Sequence, residues 1–293
     1  MLSKGYRKRE FQYMLFILPA LAIVSIFFLY PVLSTLFYSF TDLKGAGSSW
    51  NFSGLDNYKK LFETREFMNA LKNNLYFTIV VTVLQSFISF VLALALEANL
   101  KAKNFFRTYF FAPVVISSVA ISFIWVFMYD PNTGVINAVL ENVGLGALKQ
   151  NWLGDKRIAM FSIALVQIWQ WAGFEMVIFM AGLNNVPRES YEVAKVEGAS
   201  YFYTLLHVVI PQIQPAILMA IVLTTIGCFK VFDIVFIMTN GGPNHATEVL
   251  AQLLYEYAFK FGKMGFASAI SAILLLVIMA VGFGQMYLFR DKE

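Results

Sequence analysis

Charge is scarce in this sequence. Of its 293 residues only 14% are Asp, Glu, Lys or Arg, where a soluble domain carries about 25%. Cysteine is scarcer still. Cys228 is the only one and lies inside an apolar run, so an intrachain disulfide and a thiolate zinc cluster are both excluded. The two histidines, His207 and His245, fall in different loops, which leaves no metal-spaced pair. The phosphate-cradling pattern Gly, four residues, Gly-Lys-Ser/Thr does not occur, so the chain is not itself an ATPase. The net charge of +4 is small and scattered, and no basic stripe with interleaved aromatics exists to bind nucleic acid. Paired carboxylates or a Ser/His arrangement at one depth are also missing, which leaves a membrane enzyme without a catalytic constellation.

What is abundant is apolar surface. Apolar residues make up 59% of the chain, with 30 Phe and 14 Tyr, and the mean hydropathy is +0.65. A spanning helix needs about 20 mostly apolar residues to cross about 30 Å of hydrocarbon. Six segments meet that need: residues 13–40, 75–98, 108–129, 158–182, 216–239 and 266–289. Strict alternation between turn signals is absent, so a transmembrane barrel is disfavoured. The expected class is all-α, a polytopic membrane protein with six transmembrane helices and membrane lipid as its solvent. Pro19, Pro31 and Pro113 are expected to kink their helices, which neighbouring helices tolerate. The basic residues Lys4, Arg7, Lys8 and Arg9 precede an apolar run that continues to Phe40, too long for a signal peptide, so an uncleaved first span is expected.

Lys and Arg divide eleven against ten between the two sides of this topology, the eleven packed into shorter loops and close to helix ends. That density places both termini in the cytoplasm. Two domains are expected: residues 1–74, a first span with an outer loop, and residues 75–293, a five-helix core carrying a cytoplasmic loop at 185–211. In the outer loop Leu55, Tyr58, Leu61 and Phe62 recur at helical spacing, and Phe67, Leu71 and Leu75 extend the pattern. An amphipathic interfacial helix and a lead-in to the second span both fit.

The loop at 185–211 has its own design. Pro187 suits a first helical turn, and Glu189 and Glu192 bring negative charge to the positive end of the helix dipole. Tyr191, Ala194 and Val196 are expected to form an apolar side. Gly198 permits a tight bend, and Pro211 interrupts the segment that follows. The expected product is helix, bend, helix: a rigid knob suited to a groove in another protein.

This loop resembles the EAA motif of importer permeases of the ABC class, which reads Glu-Ala-Ala, three residues, Gly, nine residues, then Ile-x-Leu-Pro. Glu192-Val193-Ala194, Gly198 and Val208-Val209-Ile210-Pro211 fill it, with Val193, Val208 and Ile210 as aliphatic replacements and Glu197 where aspartate is usual. Leu18-Pro19-Ala20, Tyr30-Pro31, Phe105-Phe106-Arg107, Trp125 through Pro131, Phe229 through Asp233 and Thr239 through Pro243 further resemble carbohydrate-uptake permeases of the MalF type. The resemblance implies a MetI-like bundle in a bacterial inner membrane, paired as a heterodimer with a second permease. It also implies a cytoplasmic ATPase dimer that binds the ATP and Mg, no cofactor in this chain, an external solute-binding protein and a sugar substrate. Coupling to the ATPase would fall on Glu189, Glu192, Ala194, Glu197, Gly198, Ala199 and Pro211.

Polar residues inside spans mark pathways. The fourth span holds Gln167, Gln170 and Glu175 among Trp169, Trp171 and Phe174. At 100° per residue Gln167, Trp171 and Phe174 share a stripe, flanked by Gln170 and Glu175. Aromatic faces beside amide and carboxylate groups suit a sugar, while interfacial tryptophan with interhelical amide bonding fits the same residues. The resemblance places sugar contacts at 169–174 and along Thr224–Val231, which adds Thr224 and Cys228. Lys230 and Asp233, three residues apart, are expected to neutralise each other as a structural ion pair, with Glu175 an alternative partner for Lys230. A transporter driven by an ion gradient, with those two charges coupling protons, and an importer of a non-sugar solute are the other readings of such a chain.

Overall fold

The computed structural model describes residues 16–45, 47–97 and 102–289. Along the chain its helices are α1 (Phe16–Tyr38), α2 (Asp56–Glu63), α3 (Arg65–Glu97), α4 (Lys103–Val115), α5 (Ser118–Met128), α6 (Val135–Asn142), α7 (Ala159–Asn184), α8 (Arg188–Val196), α9 (Tyr201–Gln212), α10 (Gln214–Phe229), α11 (Asp233–Met238), α12 (Leu250–Tyr255) and α13 (Met264–Leu288). The only extended pairing among the described residues is one isolated bridge between Thr41 and Phe52. The all-α expectation holds.

Four helices, α1, α3, α7 and α13, are each long and apolar enough to cross a membrane. Two bent helix pairs bring the number to six if each pair is one span, and here hydropathy misplaced the boundaries. The segment expected at 108–129 is α4 and α5 meeting at 97°. The bend falls at Ile116, which is extended, and Ser117, three residues after the expected kink at Pro113. The segment expected at 216–239 stops at Phe229, and α10 instead pairs with α9 across a 71° bend. Residues 13–15, 98 and 290–293, with the basic residues of the N-terminal tail, lie outside the described residues.

The chain packs as two units. The first comprises residues 1–64 and 254–273. Asn57 on α2 is buried and donates to the Ser39 and Thr41 carbonyls at 2.9 and 2.8 Å, while Tyr58 meets the Ser39 hydroxyl at 2.7 Å. Leu61, on the same side of α2 as Asn57 and Tyr58, is fully buried, whereas Leu55 and Phe62 are exposed. Thr64 then turns extended before α3 begins, so the stretch is a separate amphipathic helix to Glu63 followed by a lead-in to the second span from Arg65.

The second unit comprises residues 65–253 and 274–293. Here α3 and α7 form the main packing, with α4 and α10 laid against them and α11 against α5. Two apolar clusters separate along these helices. One gathers Phe77, Val81, Ile163, Val166, Ile234 and Val235; the other gathers Ala93, Leu96, Met176, Phe179, Leu183 and Ile213. Between them, on α3 and α7, lie Gln85, Ser86, Ser89, Gln170 and Glu175. Lipid supplies no hydrophobic drive for helices to associate, so close backbone approach and interhelical hydrogen bonds must hold the bundle. Gly173 supplies the approach: a side chain there would collide with the Phe110 carbonyl of α4.

Candidate functional site: an intramembrane cavity and a projecting loop

The polar layer of the second unit opens on a cavity of about 340 Å³. Gln167, Trp171, Phe174 and Glu175 line it from α7, a run of i, i+4, i+7 and i+8 that puts one helix face on the space. Thr224 and Cys228 line it from α10, and Lys230 and Asp233 from the break between α10 and α11. Trp171 and Phe174 meet edge to face at 6.1 Å.

Two expected members lie elsewhere. Gln170 is buried and donates to the Ile116 carbonyl and the Ser118 hydroxyl, both at 3.2 Å, which satisfies backbone freed where α4 and α5 part. Trp169 packs edge-on against Trp125 at 5.6 Å and is half exposed. Both point away because their helical angles fall outside the cavity stripe.

Glu175 is the most heavily engaged side chain of the cavity. Ser86 donates to its Oε1 at 2.6 Å, and Gln85 and Thr224 donate to its Oε2 at 2.8 and 3.3 Å. Gln85 also donates to the Thr224 hydroxyl at 3.1 Å. One carboxyl group thereby ties α3, α7 and α10 together through three donors. Gln85 and Ser86 were absent from the expected set, although the rule that picked out the fourth span applies equally to a Gln-Ser pair inside the second.

The expected pairing of Lys230 with Asp233, or with Glu175, does not form: among the described residues no ion pair includes Lys230. The reason is backbone geometry. Lys230 caps the end of α10 and Asp233 opens α11, so the helical spacing that would bring them together is broken.

At the end of α7 the chain enters the projecting loop. Pro187 immediately precedes α8, and Glu189, Glu192 and Glu197 are exposed. Gly198 adopts φ +75°. Around it the Ala199 N–H bonds the Ala194 carbonyl at 2.9 Å and the Gly198 N–H bonds that of Lys195 at 3.1 Å, a left-handed helix stop that glycine accommodates best. The Ser200 hydroxyl then accepts from the Tyr203 N–H at 3.3 Å and starts α9. Gln212 donates to the Ser190 hydroxyl at 3.2 Å and pins α9 to α8.

Of the expected apolar side of α8 only Ala194 is buried, because Tyr191 and Val196 stand about 140° apart on the helix. Partial desolvation, with Glu97 and Tyr201 adding to it, raises the Tyr191 phenol above its ordinary value. The outward surface is strongly apolar: Val196 is 89% exposed and Phe202 72%. Pro211 is exposed, Ala199 half-buried, and His207, inside α9 rather than at its end, stacks on Tyr203 at 4.3 Å.

Residues 85–292 match the family model described as the binding-protein-dependent transport system inner membrane component. The chain is 38% identical over 282 residues to the probable ABC transporter permease protein YurN of Bacillus subtilis, covering 95% of this chain and 96% of that one. It is 34% identical over 280 residues to the multiple sugar-binding transport system permease protein MsmF of Streptococcus mutans, covering 95% of each. Its fold matches a chain of a bacterial ABC transporter involved in the import of the acidic polysaccharide alginate, with a TM-score of 0.83 at 21% identity over 98% of this chain and 99% of that one. The transporter has also been solved in complex with an alginate pentasaccharide-bound periplasmic protein. With four apolar spans, two bent helix pairs that would make six, a loop after α7, and a family match over most of its length, the chain belongs to the inner-membrane permease components of binding-protein-dependent ABC transport systems.

Proposed function

We propose that this permease forms half of a sugar pathway, pairs with a second permease, and is driven through its loop by a cytoplasmic ATPase dimer that holds the ATP and Mg. A solute-binding protein on the opposite side delivers the sugar, and both termini and the loop at 185–211 face the cytoplasm. One observation carries the reading: α7 both lines the cavity, through Trp171 and Glu175, and leads into the loop. Nine residues separate Glu175 from Asn184, about 14 Å of continuous helix, and α8 starts at Arg188. A push on α8 is thus transmitted to the cavity wall by a rigid rod. Exposed Val196, Tyr201 and Phe202 supply the apolar anchors that a docked partner would cover, and Glu189, Glu192, Ala194, Glu197, Gly198 and Ala199 shape the loop that presents them. The sugar substrate is supported by the aromatic and amide lining and by the name of the relative in Streptococcus mutans.

The test combines labelling with transport. Cys228 is the only native cysteine and is buried, so Val196→Cys gives a nearly silent background. A membrane-impermeant thiol reagent should reach it in inverted vesicles and not in intact cells. Uptake of a labelled disaccharide should vanish when the ATPase gene is deleted. Labelling from outside overturns the orientation, and uptake surviving ATPase loss points to an ion-gradient transporter instead.

A further inference from the structure

The cavity is lined by three ionisable side chains, and they are not equally engaged. Glu175 is fully occupied, since both its oxygens accept hydrogen bonds from the protein. Lys230 and Asp233 line the same space, and among the described residues neither forms an ion pair or a side-chain hydrogen bond. Both side chains are exposed, so their charges stay hydrated and their polar atoms remain open to a ligand entering the cavity. The two charges cancel, so the free polar equipment of this cavity is one strong donor and one strong acceptor with no net charge between them.

That equipment discriminates by chemistry. A uronic acid would satisfy Lys230 and repel Asp233, and an amino sugar would do the reverse. A neutral vicinal diol satisfies both, because each hydroxyl accepts from the ammonium through a lone pair and donates its proton to the carboxylate. The Trp171 ring offers an apolar face for the C–H side of such a ring, and Gln167 and Ser118 add further neutral partners for its other hydroxyls. We infer that Lys230 and Asp233 are the specificity-determining pair of the cavity, not a structural salt bridge, and that they select an uncharged pyranose-type ligand through adjacent hydroxyls. The inference rests on the sugar-importer reading and assigns that reading its polar contacts.

The experiment uses the intact transporter with its native partners in proteoliposomes, and labelled neutral disaccharides, their uronic-acid and amino-sugar counterparts, and glycine betaine as probes. The wild type should take up a neutral disaccharide at least tenfold faster than either charged counterpart. Lys230→Met and Asp233→Asn should each lower its uptake at least tenfold, and the double variant should be no better than the worse single. Lys230→Arg and Asp233→Glu should retain part of the rate, and the amount of each variant that copurifies with the ATPase controls for folding. Against a mono-deoxy analogue, the wild type should discriminate more strongly than the double variant, the binding protein being common to both. Recovery of wild-type uptake in Lys230→Met/Asp233→Asn would identify a mutual ion pair and overturn the assignment, as would single variants at full rate. Preference for glycine betaine or for a charged sugar would overturn the ligand class. A wild type that transports no disaccharide of any kind sinks the sugar reading as well, whereas normal uptake by the variants sinks the pair alone.

Discussion

Gln85 on α3 donates its side-chain amide to Glu175 on α7 at 2.8 Å, with both residues almost wholly buried. The bond crosses between the two helices that pack together most extensively in the second unit, at the layer where their apolar clusters part. Ser86 and Thr224 complete the acceptor shell, so the carboxylate is an organising group first and a wall of the cavity second.

Removing that carboxylate should therefore loosen the bundle. Glu175→Ala strands three donors, and interhelical hydrogen bonds in membranes are worth roughly 0.6–2 kcal/mol each, which gives a loss of about 3 kcal/mol. Glu175→Gln keeps an acceptor oxygen and should lose less than half as much. Thermal unfolding of the purified complex in detergent measures both, and an unshifted midpoint for Glu175→Ala would remove the clamp from the account.

Gly173 should tolerate nothing larger than hydrogen. A methyl group built there would overlap the Phe110 carbonyl oxygen, and backbone cannot swing aside as a side chain does. Gly173→Ala is expected to cost about 1–3 kcal/mol or more through forced separation of α4 and α7. Membrane abundance and detergent stability of the variant check this; wild-type values for both would show that the helices part freely.

Gly198 poses a different problem. Nothing lies within 4 Å of a side chain placed there, so only its positive φ resists substitution. Gly198→Ala should cost about 1–2 kcal/mol of local backbone strain and leave uptake reduced but measurable. Gly198→Val, whose branched side chain resists this conformation more, should nearly abolish it with insertion intact. Equal uptake by wild type and Gly198→Val would mean the bend is not needed for coupling.

The apolar tip of the loop should separate docking from folding. Phe202 and Val196 are exposed, so Phe202→Ser and Val196→Ser are expected to shift stability by less than about 0.5 kcal/mol. Their copurification with the ATPase should fall at least tenfold for the pair combined. Unaltered copurification would place the docking surface elsewhere.

Local signals carried far in this chain where one physical cause dominated. Six apolar runs announce the membrane as solvent because lipid accepts little else, and Pro187, Gly198 and Pro211 punctuate the loop because proline restricts and glycine widens the allowed backbone angles whatever surrounds them. The stripe of Gln167, Trp171, Phe174 and Glu175 was readable for the same reason, since one helix sets its own periodicity. Reading failed where the outcome depended on a second helix. Gln170 and Trp169 looked equivalent to their neighbours until the bend between α4 and α5 drew one of them to its freed backbone.

The amino-acid order alone determined the membrane as solvent, the helical class, the position of the loop and its resemblance to a transporter family, because hydropathy, helical period and turn chemistry are local properties. Only the tertiary structure decided which polar groups satisfy one another: that Glu175 is taken by Gln85, Ser86 and Thr224, that Lys230 forms no ion pair among the described residues, and that α4 and α5, like α9 and α10, meet at a bend. Hydrogen bonds between helices depend on where two separate backbones stop and turn, and distance along the chain carries no record of that.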